Sequence, residues 1–258
     1  MRKISTIIVA TLVLLAPTLC AAQLCVNPIP IKSTYSDAAK INKIKTALAA
    51  PCTYLNGQVC EVCFVGDAPT LSMNAVPVST VLSPNGFVLQ IPNTEKRDIQ
   101  VVGLKLKNSL SQPIAVPFLK ISHNGTGKVG LDALSLADVK QGLSIEGSGK
   151  TEVVNAQIAG DASKFGFCYS VNADNAKLDG ITATSCKEGV AIHANDVSIV
   201  NKSVIKDNKL GVHVYDNFIG TDIRSSKIYF NSDGDNTNLW RNDGVRIEGG
   251  APFAPSFH

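Results

Sequence analysis

Five short copies of one pattern, glycine followed by apolar, any, apolar, mark the second half of this chain. They are Gly142-Leu143-Ser144-Ile145, Gly166-Phe167-Cys168-Tyr169, Gly189-Val190-Ala191-Ile192, Gly211-Val212-His213-Val214 and Gly244-Val245-Arg246-Ile247. The first four begin 24, 23 and 22 residues apart, and the last gap of 33 fits one ordinary coil plus a loop of about ten residues around Ser232 to Asn238. Fainter copies precede them at Phe87 to Ile91 and Phe118 to Ile121. Each copy is followed by a second apolar patch (Val153-Val154, Leu178, Ile199-Val200, Ile223) and a third (Ile158, Ile181, Val204-Ile205, Ile228). Turns rich in Asn, Asp, Gly and Ser separate them, and no helical stretch of ten residues intervenes, which argues against a βαβ sheet. Three short strands per turn of chain cannot bury their inward residues alone. Successive coils must stack at about 4.8 Å and fill a narrow interior with ladders of Val, Ile and Leu.

The pattern predicts an all-β protein, a right-handed parallel β-helix solenoid with three short strands per coil, over residues 78–250. Sparse aromatics and abundant Val, Ile, Ala, Asn, Asp and Gly suit that reading. Ahead of the solenoid, Ile41, Ile44 and Leu48 form one helical stripe between Ser36 and Ala50, and Pro51 stops it. Residues 23–77 are thus expected to form a helical, cysteine-containing cap that shields the first coil from edge-to-edge pairing. The Pro-Phe tail, residues 251–258, closes the last layer only minimally, and the sequence leaves open that the β-helix continues in a longer protein.

Residues 1–22 read as a secretory signal: basic Arg2 and Lys3, a short apolar run, then Cys20-Ala21-Ala22. The run is too short to span a membrane comfortably, and no later segment is long enough. A secreted, periplasmic or cell-surface location is therefore expected. Without the leader the 24 basic residues drop to near balance with the 21 acidic ones, so bulk charge gives no case for nucleic acid. Cys25, Cys52, Cys60, Cys63, Cys168 and Cys186 remain, an even number that favours disulfides in an exported chain. Cys60-Glu61-Val62-Cys63 also has the spacing of a redox pair or half a zinc site, but no second pair or nearby His supports a metal. In the register set by the glycines, Cys168 falls mid-strand and Cys186 in a turn, so no bridge between those two is expected.

With Val212 and Val214 turned inward, two-residue alternation sends His213 and Tyr215 outward. The same register gathers His193, His213, Tyr215, Arg246, Glu146 and Glu248 on the outer face of one sheet. A second regularity is lysine two residues before each of the first four glycines: Lys140, Lys164, Lys187 and Lys209. Stacked at one coil rise, four ammonium groups match the spacing of successive sugars in an extended polysaccharide, and their mutual repulsion is relieved by an anionic chain. A solvated turn position with Glu146 and Glu188 compensating is the plainer reading. For a uronic-acid polymer the matching chemistry is β-elimination: His213 or His193 as base, Arg246 or a ladder lysine as neutraliser, Tyr215 as acid. Hydrolysis would need two carboxylates at a fixed distance, and no pair stands out. No cofactor is expected. The loop Asn231 to Thr237 has oxygen ligands at alternating positions that suit calcium but lacks the glycine and terminal glutamate of an EF-hand, so a polar turn is expected.

Over residues 78–250 the repeat resembles the right-handed parallel β-helix superfamily, the pectin-lyase-like fold, and particularly its generic repeat-containing members. The resemblance implies the fold and a carbohydrate-facing role. The chain carries neither the Asn-Thr-Asp, Asp-Asp and Gly-His-Gly set of polygalacturonases nor the Trp-Ile-Asp-His segment of pectate lyases, so no catalytic residue carries over. An exported β-helix that engages extracellular or cell-wall polysaccharide, with lyase activity open, is one expectation. A non-enzymatic, adhesin-like or structural β-helix is the other, and a truncated, inactive remnant a third.

Overall fold

A computed structural model describes residues 27–65, 70–72, 86–108, 116–161, 166–215, 218–229, 231 and 244–247. Short strands recur three to a coil and pair into three sheets, one of nine strands and two of seven, all parallel except Leu55–Asn56, which pairs antiparallel with Val59–Val65. The chain is a parallel β-helix.

Each sheet contributes an unbroken inward ladder. Sheet 1 aligns Val62, Val101, Leu131, Val153, Leu178, Ile199 and Ile223. Sheet 2 aligns Leu106, Leu136, Ile158, Ala183, Ile205 and Ile228. Sheet 3 aligns Phe87, Leu119, Leu143, Tyr169, Val190, Val212 and Val245, with a second inward column two residues on, from Leu89 to Ile247. Most of these side chains are at or below 2 % exposure, and they form one continuous core. Tyr169 enters it where sheet 2 narrows to Ala183, and its hydroxyl lies 3.1 Å from the carbonyls of both Ala156 and Thr182. Burial alone pushes that phenol well above its ordinary value.

At the N-terminal end the helix spans Asp37–Ala49, with the Ser36 hydroxyl accepting from the Ala39 N–H at 3.3 Å. Ile41, Ile44 and Leu48 are buried, and the helix packs on the first strand of sheet 3, Phe87–Ile91. The first strand of sheet 1, Pro28–Pro30, carries proline at alternate positions, which removes edge donors. Cys60 bridges Cys52, and Cys63 is also disulfide-bonded, so Cys60 and Cys63 are not a redox pair with each other. Among the described residues no helix is long and apolar enough to cross a membrane.

The register corrects the sequence reading at one coil. Leu143 pairs with Tyr169, and Tyr169 with Val190, so Cys168, not Gly166, stands in line with Gly142, Gly189, Gly211 and Gly244. Gly166 has a different role: its φ of +77° makes it a turn residue beside Lys140. The true glycine column is steric. A Cβ on Gly189 would come within 2.6 Å of Ile205 Cγ2 and 2.8 Å of Asn208 Nδ2, and one on Gly211 within 2.7 Å of Ile228 Cγ2 and 2.8 Å of Asn231 Nδ2.

Those asparagines form a buried ladder at the turn into sheet 3. Asn208 Oδ1 accepts from the Cys186 N–H at 2.9 Å, Asn231 Oδ1 accepts from Asn208, and each side-chain amide donates to a sheet 2 carbonyl, of Ala183 and Ile205 respectively. The pairs Gly189 with Asn208 and Gly211 with Asn231 have a covalent counterpart one coil earlier, the disulfide between Cys168 and Cys186, Cα to Cα 5.7 Å. The expectation that these two cysteines stay apart is overturned, because the two-residue shift brings Cys168 to the corner beside the turn. We expect Cys168→Ala with Cys186→Ala to cost about 3 kcal/mol of unfolding free energy. Cys168→Gly with Cys186→Asn, which extends the glycine and asparagine columns by one layer, is expected to recover about 1 kcal/mol or more of that loss in chemical denaturation.

Candidate functional site

Outward positions on sheet 3 run in two columns set by the pleat. One reads Lys120, Ser144, Ser170, Ala191, His213 and Arg246; the other reads Ser122, Glu146, Asn172, His193 and Tyr215. Ala191 sits between Ser170 and His213 and is 2 % exposed. Its small side chain leaves room for larger rings from the neighbouring positions to fold over it.

Three rings do so. The centroid of His193 is 3.9 Å from that of Tyr215, and the centroid of His213 is 3.8 Å from it, with interplanar angles of 24° and 30°. Two imidazoles that close and that parallel cannot share one face of a phenol without overlapping, so Tyr215 is sandwiched between them. It therefore turns an edge, not a face, toward any ligand. Its hydroxyl lies 3.0 Å from both carboxylate oxygens of Glu188 and donates to them. His213 Nδ1 is 3.5 Å from Glu188 Oε2, and Lys187 Nζ is 4.0 Å from Glu188 Oε1.

Glu188 opens the strand Glu188–Ile192 and is 9 % exposed. Burial works to raise its carboxyl, but the contacts of His213 and Tyr215, with the charges of His213 and Lys187, outweigh it, and the group sits below its ordinary value. Burial holds His193 below the ordinary imidazole value, helped by the charge of His213 and opposed by that of Glu188. His193 is thus a neutral, half-buried imidazole at neutral pH. Both ring nitrogens of His213, in contrast, are buried.

Lys187, Glu188, Lys209, Leu210, His213, Tyr215 and Arg246 line a cleft of about 390 Å³. Glu188 pairs with Leu210, so Lys187 and Lys209 are lateral neighbours on adjacent coils. Three cations thus meet one carboxylate that is already engaged by Tyr215 and His213.

The other residues expected at the site fall elsewhere. Lys140 lies beside Gly166 rather than beside another lysine, so the regular four-lysine ladder is broken there. Lys164 and Glu248 lie outside the described residues, as does the loop from 232 to 243. Glu146 is two coils from His193, ion-paired with Lys120 at 2.6 Å and bonded to Ser144 at 3.1 Å. The Asn231 carbonyl, considered for calcium, accepts from both the backbone and side-chain N–H groups of Asn208. Among the described residues no group of three or more His, Cys, Asp or Glu converges as a metal site.

Glu188 is the functional residue the sequence reading missed, having been treated only as a partial counter-charge to Lys187. A signal was present: in its column stand Gln141, Phe167 and Leu210, so an acid there is an exception. No family model, curated protein or solved structure matches the chain.

The pH dependence of this contact has a definite sign. A carboxyl whose folded value is lowered contributes stability that is present above the unfolded value and is lost as pH falls through the folded one. Tyr215→Phe, which removes one donor to that carboxylate, is expected to cost about 1–2 kcal/mol at neutral pH. The cost should shrink as pH falls below the ordinary carboxylate range and through the lowered folded value of Glu188. Denaturation of both proteins across that range measures it; a pH-independent difference would mean the hydroxyl does not act through Glu188.

Proposed function

We propose that this chain is an exported, generic member of the pectin-lyase-like β-helix group, and that it binds an acidic polysaccharide along the outer face of sheet 3. The observation that carries the reading is the convergence of Lys187, Lys209 and Arg246 on one cleft whose single carboxylate is internally satisfied. Two laterally paired lysines repel, and an anionic chain bridging them relieves that repulsion. The coil rise of about 4.8 Å is close to the repeat of an extended sugar chain, so successive carboxylates of a uronate polymer meet successive coils. Because Tyr215 offers an edge, recognition comes from charge rather than from stacking on a sugar ring.

The same face of sheet 3, with His193 stacked on Tyr215 at the side of the cleft lining, suits β-elimination. His193, held neutral and partly open, is a better base than His213, whose nitrogens are buried. Arg246 or Lys209 neutralises the substrate carboxylate as the adjacent C–H proton passes to the imidazole. The C–O bond to the leaving sugar breaks as the double bond forms, and the imidazolium returns its proton to the leaving oxygen. Tyr215 is less suited to supply that proton, because its hydroxyl already donates to Glu188.

Purified protein should bind polyuronate at low salt and ignore neutral glucans. Lys187→Glu with Lys209→Glu should weaken that binding by about a hundredfold, an effect that shrinks as salt rises. His193→Ala should leave binding intact while removing the ultraviolet absorbance of unsaturated products. Failure of the wild-type protein to bind any polyanion would overturn the proposal and leave a structural or adhesive β-helix.

A further inference from the structure

Glu188 is hard to explain as a contributor to polyanion attraction. It places a negative charge within a cleft otherwise lined by Lys187, Lys209 and Arg246, in a column whose other members are Gln141, Phe167 and Leu210. A neutral residue there would strengthen the positive field. What Glu188 does instead is hold rings. The register puts Leu210 opposite it, and Tyr215 lies five residues further along that strand. For the Tyr215 hydroxyl to come within 3.0 Å of both carboxylate oxygens, the phenol must reach back along its strand toward Glu188. That pose is the one in which His193 and His213 stack on its two faces. The same carboxylate lies 3.5 Å from His213 Nδ1. One side chain therefore meets two cleft-lining residues, His213 on the strand Leu210–Val214 and Tyr215 just beyond it.

We infer that Glu188 is the positioning residue of the cleft: it clamps Tyr215 back along its strand and holds His213 beside it, so that the space between Lys187, Lys209 and Arg246 stays open to a ligand chain. This rests on the acidic-polysaccharide reading for the identity of the ligand, but the clamp itself does not. Its electrostatic sign makes it separable from a simple charge effect. Glu188→Gln and Glu188→Ala remove the same charge, but only glutamine keeps an oxygen that accepts from the Tyr215 hydroxyl. If Glu188 acted on the ligand through charge alone, both variants would bind a polyanion more tightly, and equally so.

The test is calorimetric titration of the full-length wild-type protein and both variants with polygalacturonate at low salt, together with NMR of the imidazole ring protons of His193. Glu188→Gln is expected to bind as tightly as wild type or a few-fold tighter, and Glu188→Ala about tenfold more weakly than Glu188→Gln. In the spectra, the ring-current shift that Tyr215 imposes on His193 should persist in Glu188→Gln and collapse in Glu188→Ala. Equal affinities for the two variants with unchanged His193 shifts would overturn the clamp. If the wild-type protein binds no polygalacturonate, the acidic-polysaccharide reading fails, and the His193 shifts alone decide: their loss in Glu188→Ala upholds the positioning role, and their retention ends it.

Discussion

Every layer of this solenoid depends on in-register stacking of strands two to seven residues long, none of which buries a core by itself. A strand such as Leu143–Glu146 gains its core only because Leu119 lies on one side and Tyr169 on the other. Register is therefore the quantity under strongest constraint: a slip of one residue would turn a whole ladder from inside to outside. The corners enforce it. Glycine at 189 and 211 leaves space that Ile205, Ile228 and the Asn208 and Asn231 amides fill, and those amides in turn satisfy backbone groups that a buried turn would otherwise leave without partners. Sterics and hydrogen bonding at one corner thus select the same alignment as the apolar ladders.

Alternation then builds the outer face at no extra cost to the fold. The strand that points Val212 and Val214 inward has to point His213 outward, and the next coil presents Arg246 at the same column. Four columns meeting over three coils are enough to bring Lys187, Glu188, Lys209, His213, Tyr215 and Arg246 together. By contrast, the outer face of sheet 1 uses its charges on one another: Glu152 pairs with both Lys128 and Lys177, and Lys177 also with Asp179. Among the described residues lining the sheet 3 cleft, three cations stand with one acid, and that acid is engaged by Tyr215 and His213. That difference, rather than the presence of charge as such, is what marks the cleft.

The repeat made the architecture readable because stacking demands periodicity, and the helix stripe with its Ser36 cap was readable for the same local reason. His193, His213, Tyr215 and Arg246 were readable too, since alternation alone puts them on one face. What failed was anchoring a coil on Gly166. Glycine answers two different needs here, the absence of a Cβ at the corner column and a positive φ in the preceding turn, and a one-letter pattern does not tell them apart. Taking the turn glycine for the corner glycine moved Cys168 by two residues, hid its bridge to Cys186, and made Lys140, Lys164, Lys187 and Lys209 look like a regular ladder. Glu188 was hidden differently: its role arises from Tyr215 reaching back across five residues of the neighbouring strand, a distance that column-by-column alignment does not register.

The disulfide and the cleft share a segment. Cys186 is followed directly by Lys187 and Glu188, and its backbone N–H is held by Asn208 while its sulfur is tied to Cys168. The start of the strand that carries the cleft's carboxylate is thus fixed covalently on one side and by the amide ladder on the other. A corner made only of glycine and asparagine would satisfy packing equally well, as the next two layers do at 189 with 208 and 211 with 231. The covalent version stands at the layer where a small backbone displacement would matter most, because Glu188 must meet the Tyr215 hydroxyl with both carboxylate oxygens at once. Tethering one end of a short strand restricts exactly the sliding and fraying motions that would break that two-point contact, whereas the apolar ladder beneath, being non-directional, tolerates them.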